Sequence, residues 1–144
     1  MPSVEVPKVD GIRTHGVESV LVRVPAHRDY VAVVRAAVAQ LGARLGYTVS
    51  ELIDLRLAVD EACSQLVGGV PLDGPPQGYL ECRLRVGLGT LQVTVVASAA
   101  GVETPDRDGF GWNVLTALVD SLSWANDGVT ARIDLVKSHS AGVR

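Results

Sequence analysis

The sequence lacks the features that mark several large classes of protein. Its formal net charge is −3, its pI is near 5.5 and only 4% of its residues are aromatic. It therefore has neither the basic surface nor the stacking side chains that direct nucleic-acid binding requires. No apolar run approaches the roughly 18 residues of a membrane span, and the first residues do not follow the basic-then-apolar order of a signal peptide. We expect a cytoplasmic protein that binds a protein or a small molecule.

Cysteine and histidine are also scarce. Cys63 and Cys82 have no CxxC or His-rich spacing, which predicts neither a disulfide framework nor a zinc site, and we interpret both as small core residues. His15, His27 and His139 fall in a predicted arm, loop and tail, where we expect them to be solvated. No nucleophile–base arrangement accompanies them. A small metabolic enzyme is therefore the class that the sequence supports least.

The chain has the size and apolar content of one globular domain. Its 144 residues, 47% of them hydrophobic, suffice for one core and not for two. Residues 1–16 contain prolines and glycines without periodicity, and the residues from Lys137 onwards are polar. We predict a flexible arm over 1–16, a domain over 17–137 and a flexible tail over 138–144, frayed from Lys137 onwards.

Hydrophobic periodicity predicts five strands and three helices. The predicted strands are residues 19–24, 80–86, 91–97, 122–125 and 129–136. The first helix is expected over about 27–45 and the second from an N-cap at Ser50 to residue 67. The third begins at Trp112 and has a buried side made of Trp112, Leu115, Leu118, Val119 and Leu122. This order predicts an α/β (α+β) two-layer sandwich, with a mixed, largely antiparallel sheet and three helices on one face.

The second helix carries a polar line beside its core face. Its core face consists of Leu52, Leu55, Val59, Ala62, Cys63 and Leu66. The polar line consists of Asp54, Ala58, Glu61 and Gln65, at spacings of four, three and four. Glu61 and Gln65 have two interpretations. They are either an exposed i,i+4 pair that stabilises the helix a little, or they line a site.

The first helix has a surface of small residues edged by positive charge. Its core face is Val31, Val34, Val38, Leu41 and Leu45. The other side contains Ala32, Ala36, Ala39 and Ala43, with Arg28, Arg35, Gln40 and Arg44. Plain helix propensity explains the alanines, because alanine is the best helix former. The alternative is a docking face that another helix approaches closely.

Two segments carry a family resemblance. Residues 55–64, Leu-Arg-Leu-Ala-Val-Asp-Glu-Ala-Cys-Ser, lie in the second helix, and Gly109-Phe110-Gly111 precedes the third. With the element order, they resemble the anti-sigma-factor serine kinases of the RsbW and SpoIIAB type, in the ATPase/histidine-kinase superfamily with the Bergerat ATP-binding fold. Residues 95–100 together with 112–118 are most similar to mycobacterial-type regulators of a stress sigma factor.

The resemblance implies a cofactor, partners and site residues. It implies ATP with Mg²⁺, a sigma factor, an anti-anti-sigma factor and a homodimer. Glu61 matches the catalytic base, which would take the proton of an incoming serine hydroxyl. Gln65 matches the metal-binding position. The nucleotide positions are Glu61, Gln65, Ala97, Ala99, Gly109, Gly111 and Thr116, and the sigma contacts lie partly in the first helix, which leads us to Arg28, Ala32, Arg35, Ala39 and Ala43.

Three departures from the family pattern predict an eroded ATP site. Gln65 replaces an asparagine, and the extra methylene moves the amide by about 1.5 Å, a poor fit to the strict octahedral geometry of Mg²⁺. Ala97-Ser98-Ala99 replaces an Asp-x-Gly that would contact adenine, which removes a charged hydrogen bond of about 1.5–3 kcal/mol. The lid between Ala100 and Gly109 is short, and Arg107 is its one basic residue.

These departures make one of two possible functions the favoured one. The favoured one is an anti-sigma factor that inhibits a stress sigma factor and is released by an anti-anti-sigma antagonist. The alternative is an active serine kinase that phosphorylates that antagonist with ATP. We expect ATP binding and phosphotransfer to be weak or lost.

Overall fold

The computed structural model describes residues 18–139, so the predicted arm and residues 140–144 lie outside the described part. The strands are β1 (Glu18–Pro25), β2 (Tyr79–Gly87), β3 (Thr90–Ser98), β4 (Ser121–Asn126) and β5 (Thr130–Ser138). The helices are α1 (Val31–Arg44), α2 (Val49–Val67) and α3 (Phe110–Leu118), with a 3₁₀ turn at Arg28–Tyr30 before α1.

The five strands form one sheet in the order β1-β2-β3-β5-β4, and every neighbouring pair is antiparallel. Hydrophobic alternation sets its two faces. Leu80, Cys82, Leu84 and Val86 of β2 are buried, while Arg83 and Arg85 between them are exposed. The buried face packs against the helices, with α2 between α1 and α3. The predicted two-layer class is confirmed, and β1 is an edge strand of the sheet.

The predicted core faces are also confirmed. Leu55, Val59, Ala62 and Cys63 of α2 have no exposed surface, nor do Val34 and Val38 of α1. On the buried face of β3, the alternate residues Leu91, Val93, Val95 and Ala97 are buried. Both cysteines are free and buried, as predicted, and burial raises the pKa of the Cys82 thiol to about 12.

The bounds of two helices differ from the predictions. Thr48, not Ser50, is the N-cap of α2, because Thr48 Oγ1 accepts from the Glu51 N–H while Glu51 accepts from the Thr48 N–H in a capping box. The helix α3 ends at Leu118. Val119 is extended and Leu122 lies in β4, so the predicted buried side was too long.

The prediction of solvated histidines was wrong for the two that the structure describes. His27 is 3% exposed, accepts from the Asp29 N–H and contacts the Leu72 carbonyl. His139 is 9% exposed because its ring stacks on Tyr47, with 4.8 Å between ring centroids. His15 lies outside the described residues.

The prediction that the chain frays from Lys137 was also wrong. Strand β5 continues to Ser138, and the Tyr47 hydroxyl donates to the Lys137 carbonyl over 2.6 Å. The Lys137 ammonium donates to the Leu118 carbonyl over 2.8 Å and pairs with Asp54 over 3.2 Å. The end of β5 is thus bound to both α2 and α3.

Candidate functional site

The polar line of α2 faces α3, and each of its members has a different environment. Asp54 pairs with Lys137, and Ala58 has no exposed surface. Glu61 and Gln65 are both half-buried, and the Gln65 amide donates to Glu61 Oε2 over 2.8 Å. The pair therefore has the i,i+4 bond of the simpler interpretation, yet it is not on the open surface.

Gly111 places α3 directly against this pair. A Cβ atom added to Gly111 would lie 2.6 Å from the Gln65 amide nitrogen and would overlap Glu61 Oε2. Gly109 is the N-cap of α3 in an extended conformation and supplies no side-chain bond. Because α3 begins between these two glycines, its first turn can approach the carboxylate and the amide at van der Waals distance.

Beside the pair lies an open pocket of about 360 Å³. Its lining comes from α2, from the residues that follow α2 and from the loop after β3: Glu61, Ser64, Gln65, Gly68, Gly69, Gly101, Glu103, Thr104, Pro105 and Asp106. The loop after α2 and the loop after β3 lie close together. A Cβ atom added to Gly69 would be 3.1 Å from the Gly101 carbonyl oxygen. Gly101 has φ of +75°, a conformation that favours glycine.

The pocket is acidic. Its lining contains the carboxylates of Glu61, Glu103 and Asp106 and no basic side chain. Arg107, the one basic residue of the loop, instead places its guanidinium over the Trp112 ring, 5.0 Å from the ring centroid. Within residues 18–139 no three acidic, histidine or cysteine side chains converge as metal ligands would. The three carboxylates give this lining a negative charge, which attracts cations and repels anions.

The other predicted nucleotide positions are spread around this region. Ala97 is buried in β3 opposite Ala131, and the Ala99 N–H donates to the Val129 carbonyl. Thr116 is exposed on α3, with its hydroxyl donating to the Asn113 carbonyl. None of these three lines the pocket beside Glu61.

Sequence reasoning did not place Gly68, Gly69, Gly101, Glu103 and Asp106 at the site. The sequence predicts only that the second helix ends at residue 67 and that a short lid lies between Ala100 and Gly109. The two segments meet only through the fold, more than 30 residues apart in sequence. The paired glycines gave one usable signal, since glycine often marks a close backbone approach.

The predicted partner-binding residues of α1 divide into two groups. Arg28, Ala32 and Ala43 are exposed, whereas Ala39 and Arg35 are half-buried. Arg35 is already engaged within the molecule, because its Nη1 lies 2.7 Å from Asp60 Oδ1 and 2.9 Å from Asp60 Oδ2 on α2. The two residues border an open groove of about 240 Å³ that also includes Ile53, Arg56 and Leu57. Arg35 is therefore paired within the molecule, and its contact with a sigma factor stays a prediction.

Known proteins resemble this chain in sequence and in fold. A family model described as the histidine kinase-like ATPase domain matches residues 24–137. The chain belongs to the histidine kinase-like ATPase domain family. The resemblance to RsbW-type proteins is borne out by relatives that bear this name. The chain is 35% identical over 119 residues to the anti-sigma-F factor RsbW of Mycobacterium tuberculosis strain H37Rv, covering 81% of this chain and 67% of that protein.

Other members of the family match over shorter lengths. The serine-protein kinase RsbW of Halalkalibacterium halodurans is 37% identical over 67 residues, which cover 46% of this chain and 41% of the kinase. A crystal structure of the RsbU and RsbW domains of a Mycobacterium tuberculosis protein superposes with a TM-score of 0.65 at 18% identity. It covers 85% of this chain, which in turn spans 32% of that longer protein, and it supports the fold alone.

None of the helices in residues 18–139 is long and apolar enough to cross a membrane.

Proposed function

We propose that this protein is an anti-sigma factor. It would bind and inhibit a stress-response sigma factor in the cytoplasm and be released by an anti-anti-sigma antagonist. The observation that carries the proposal is the 35% identity, over most of the chain, to a protein named as an anti-sigma factor. The acidic pocket supports a binding role over a kinase role.

The residues beside Glu61 fit Mg-ATP poorly. Three carboxylates and no basic side chain line the pocket, so a triphosphate entering it meets net repulsion. The Gln65 amide nitrogen already donates to Glu61, and Gly111 packs against both groups. A metal ion would have to bind the amide oxygen, whose direction is set by the bond from the amide nitrogen to Glu61. We therefore propose that ATP binding is weak or absent and that Glu61 has lost its role as a base.

The sigma factor would dock on the solvent-facing side of α1 and α2, the side that points away from the sheet. Ile53 and Leu57 are about half exposed in the groove beside the Arg35–Asp60 pair. Ala32 and Ala43 of α1 extend this surface without bulky side chains. An amphipathic helix can place apolar side chains in such a groove, while Arg56 in its lining and the exposed Arg28 before α1 donate hydrogen bonds to carboxylates of that helix.

Binding to the sigma factor tests the docking surface. Surface plasmon resonance would use the purified stress sigma factors of the source organism, one at a time. Ala32→Arg places a long charged side chain on the proposed surface. Ala117→Arg places the same side chain at an exposed position of α3 and is the matched control. We expect at least a tenfold weaker affinity for the first, corresponding to about 1.4 kcal/mol, and no change for the second. Equal affinities for both variants in folded protein would place the sigma factor elsewhere.

Arg35 requires a compensated test. Arg35→Glu alone would set two carboxylates against each other, so a loss of binding could come from a disturbed α1–α2 contact. The exchange Arg35→Glu with Asp60→Arg keeps an ion pair and reverses its direction. If Arg35 contacts the sigma factor, the exchange weakens binding while circular dichroism and thermal unfolding stay close to those of the wild type.

The alternative function, an active serine kinase, has a direct test. Isothermal titration with Mg-ATP and transfer of labelled phosphate to the antagonist would be measured for the wild type and Glu61→Ala. We expect little heat and little transfer from either protein. Micromolar affinity, with label that enters an antagonist serine and disappears in Glu61→Ala, would establish the kinase instead.

The protein is also proposed to be a homodimer. Strand β1 is a sheet edge, and Val20 on the core side of this strand is 41% exposed. Exposed apolar edges of this kind are normally covered, because their backbone groups otherwise invite pairing. Light scattering at tens of micromolar would give twice the monomer mass of 15.1 kDa. The monomer mass at that concentration would reject this proposal without affecting the others.

A further inference from the structure

The face of the sheet that points away from the helices is rich in arginine. We call it the outer face. Its charged residues are Arg23 of β1, Glu81, Arg83 and Arg85 of β2, and Arg132 and Asp134 of β5. They alternate along the strands with the buried residues of the core, which fixes them on the opposite side.

The charge of the outer face is opposite to that of the remaining surface. Residues 18–139 contain ten arginines and lysines and fourteen aspartates and glutamates. Four of the ten cations and two of the fourteen acids lie on the outer face, which leaves it at +2 and the rest of the described chain at −6. A separation of this size creates a local positive field on an acidic protein.

Internal ion pairs neutralise only part of this charge. Glu81 forms ion pairs with two arginines, Arg23 at 3.3 Å and Arg83 at 3.1 Å. Asp134 pairs with Arg132 over 2.9 Å and also accepts from the Thr94 hydroxyl. Arg85 is exposed and has no hydrogen bond or ion pair with any residue from 18 to 139.

Apolar surface lies directly beside the surplus cations. A depression of about 300 Å³ at the β1–β2 edge is lined by Ser19, Val20, Leu21, Arg83, Leu84 and Arg85. Leu21 is 60% exposed there. A second depression, of about 330 Å³, includes Arg23, which stacks over the half-exposed Tyr79 ring. Guanidinium groups next to exposed apolar side chains match a ligand that presents carboxylates beside apolar groups.

We propose that the outer face docks an acidic segment of a protein partner, with carboxylates on Arg85 and Arg83 and an apolar side chain against Leu21. A second copy of this chain does not fit face to face, because two surfaces of the same sign repel. The proposal is independent of the sigma-docking groove, since α1 and α2 lie on the other side of the sheet. Edge-to-edge pairing of β1 strands would leave this face accessible.

A labelled ten-residue peptide of alternating glutamate and leucine is the probe, with fluorescence anisotropy as the readout. Arg85→Gln removes one cation from the outer face, and Arg44→Gln removes one from the exposed end of α1 as the matched control. We expect about a tenfold weaker affinity for Arg85→Gln and less than a twofold change for Arg44→Gln. Leu21→Ser should also weaken binding, and a lysine–leucine peptide should not bind. Rising salt should reduce the affinity of the wild type more than that of Arg85→Gln.

Two results would overturn the proposal. Equal losses in Arg85→Gln and Arg44→Gln would show that the peptide senses only the net charge. Tighter binding of a ten-nucleotide thymidine strand than of the peptide, abolished by Arg85→Gln, would assign the face to nucleic acid instead. Amide chemical shifts of the wild type during the titration provide a second readout that needs no variant. Shifts confined to β1 and β2 support the proposal, and shifts confined to the helices reject it.

Discussion

Gly111 lies in direct contact with Glu61, and no other residue type fits between α3 and the carboxylate in this arrangement. A Cβ at Gly111 would overlap Glu61 Oε2 and come within 2.6 Å of the Gln65 amide. The first turn of α3 and the middle of α2 therefore meet at a point where an added methyl group would have to displace the carboxylate and the amide. This contact connects the family's glycine segment to the polar line of α2.

Gly111→Ala should displace the Glu61–Gln65 pair with a small change in stability. Losing that hydrogen bond costs about 0.5–1.5 kcal/mol, while alanine in a helix gains about 0.5–1 kcal/mol over glycine. The two effects oppose each other, so we expect a net change below about 1 kcal/mol in urea unfolding. The side-chain amide resonances of Gln65 should nevertheless shift. Phe110→Ala, at a neighbouring residue that is 84% exposed, is the control that should leave them in place.

The Arg35–Asp60 pair should contribute modestly to stability. Both side chains are 35% exposed, so solvent screens their attraction. A double-mutant cycle of Arg35→Ala and Asp60→Ala should give a coupling of about 0.5–1 kcal/mol that decreases in 1 M salt. A cycle with Arg28→Ala in place of Arg35→Ala should give no coupling. A salt-independent coupling would mean that packing, not charge, joins α1 to α2 here.

Lys137 should matter more than its position near the end of the described chain suggests. Its side chain is 13% exposed and holds both the Leu118 carbonyl and Asp54. Lys137→Met preserves most of the volume but leaves both acceptors without this donor, at a cost of about 1–3 kcal/mol in unfolding free energy. Arg44→Met, at an exposed position, should cost much less. Similar values for the two variants would contradict the anchoring role of Lys137.

Stability should decrease in alkaline solution. Burial raises the pKa of the Cys82 thiol from 9.0 to about 12 and also raises that of Cys63, while burial and Glu51 raise the pKa of Tyr47 from 10.0 to about 12. Above pH 9 the unfolded chain loses these protons first, so the native state binds more protons and its stability falls as pH rises toward 12. Urea unfolding at pH 8, 9 and 10 measures the slope. Cys82→Ala should make it shallower, and an unchanged slope would exclude Cys82 as a source.

Local patterns predicted the secondary structure well because they depend on near neighbours. Alternation in β2 and β3 and the spacing of Leu55, Val59 and Ala62 follow directly from strand and helix geometry. The errors arose where a distant residue decided the outcome. His139 was expected to be solvated, yet it stacks on Tyr47, and Lys137 was expected to fray, yet it pairs with Asp54. In both cases the partner lies more than 80 residues away.

By itself, the sequence determined the strands and helices, the core faces and the resemblance to anti-sigma-type ATPase domains, because each depends on periodicity or on a contiguous motif. The Glu61–Gln65 bond belongs here too, since i,i+4 side chains meet on any helix. Only the tertiary structure decided that Gly111 covers this pair, that Glu103 and Asp106 make the pocket acidic and that Arg35 is engaged by Asp60. The tertiary structure also places four arginines on one face of the sheet. The physical reason is that charge interactions depend on distance through space, which strand order and helix packing set.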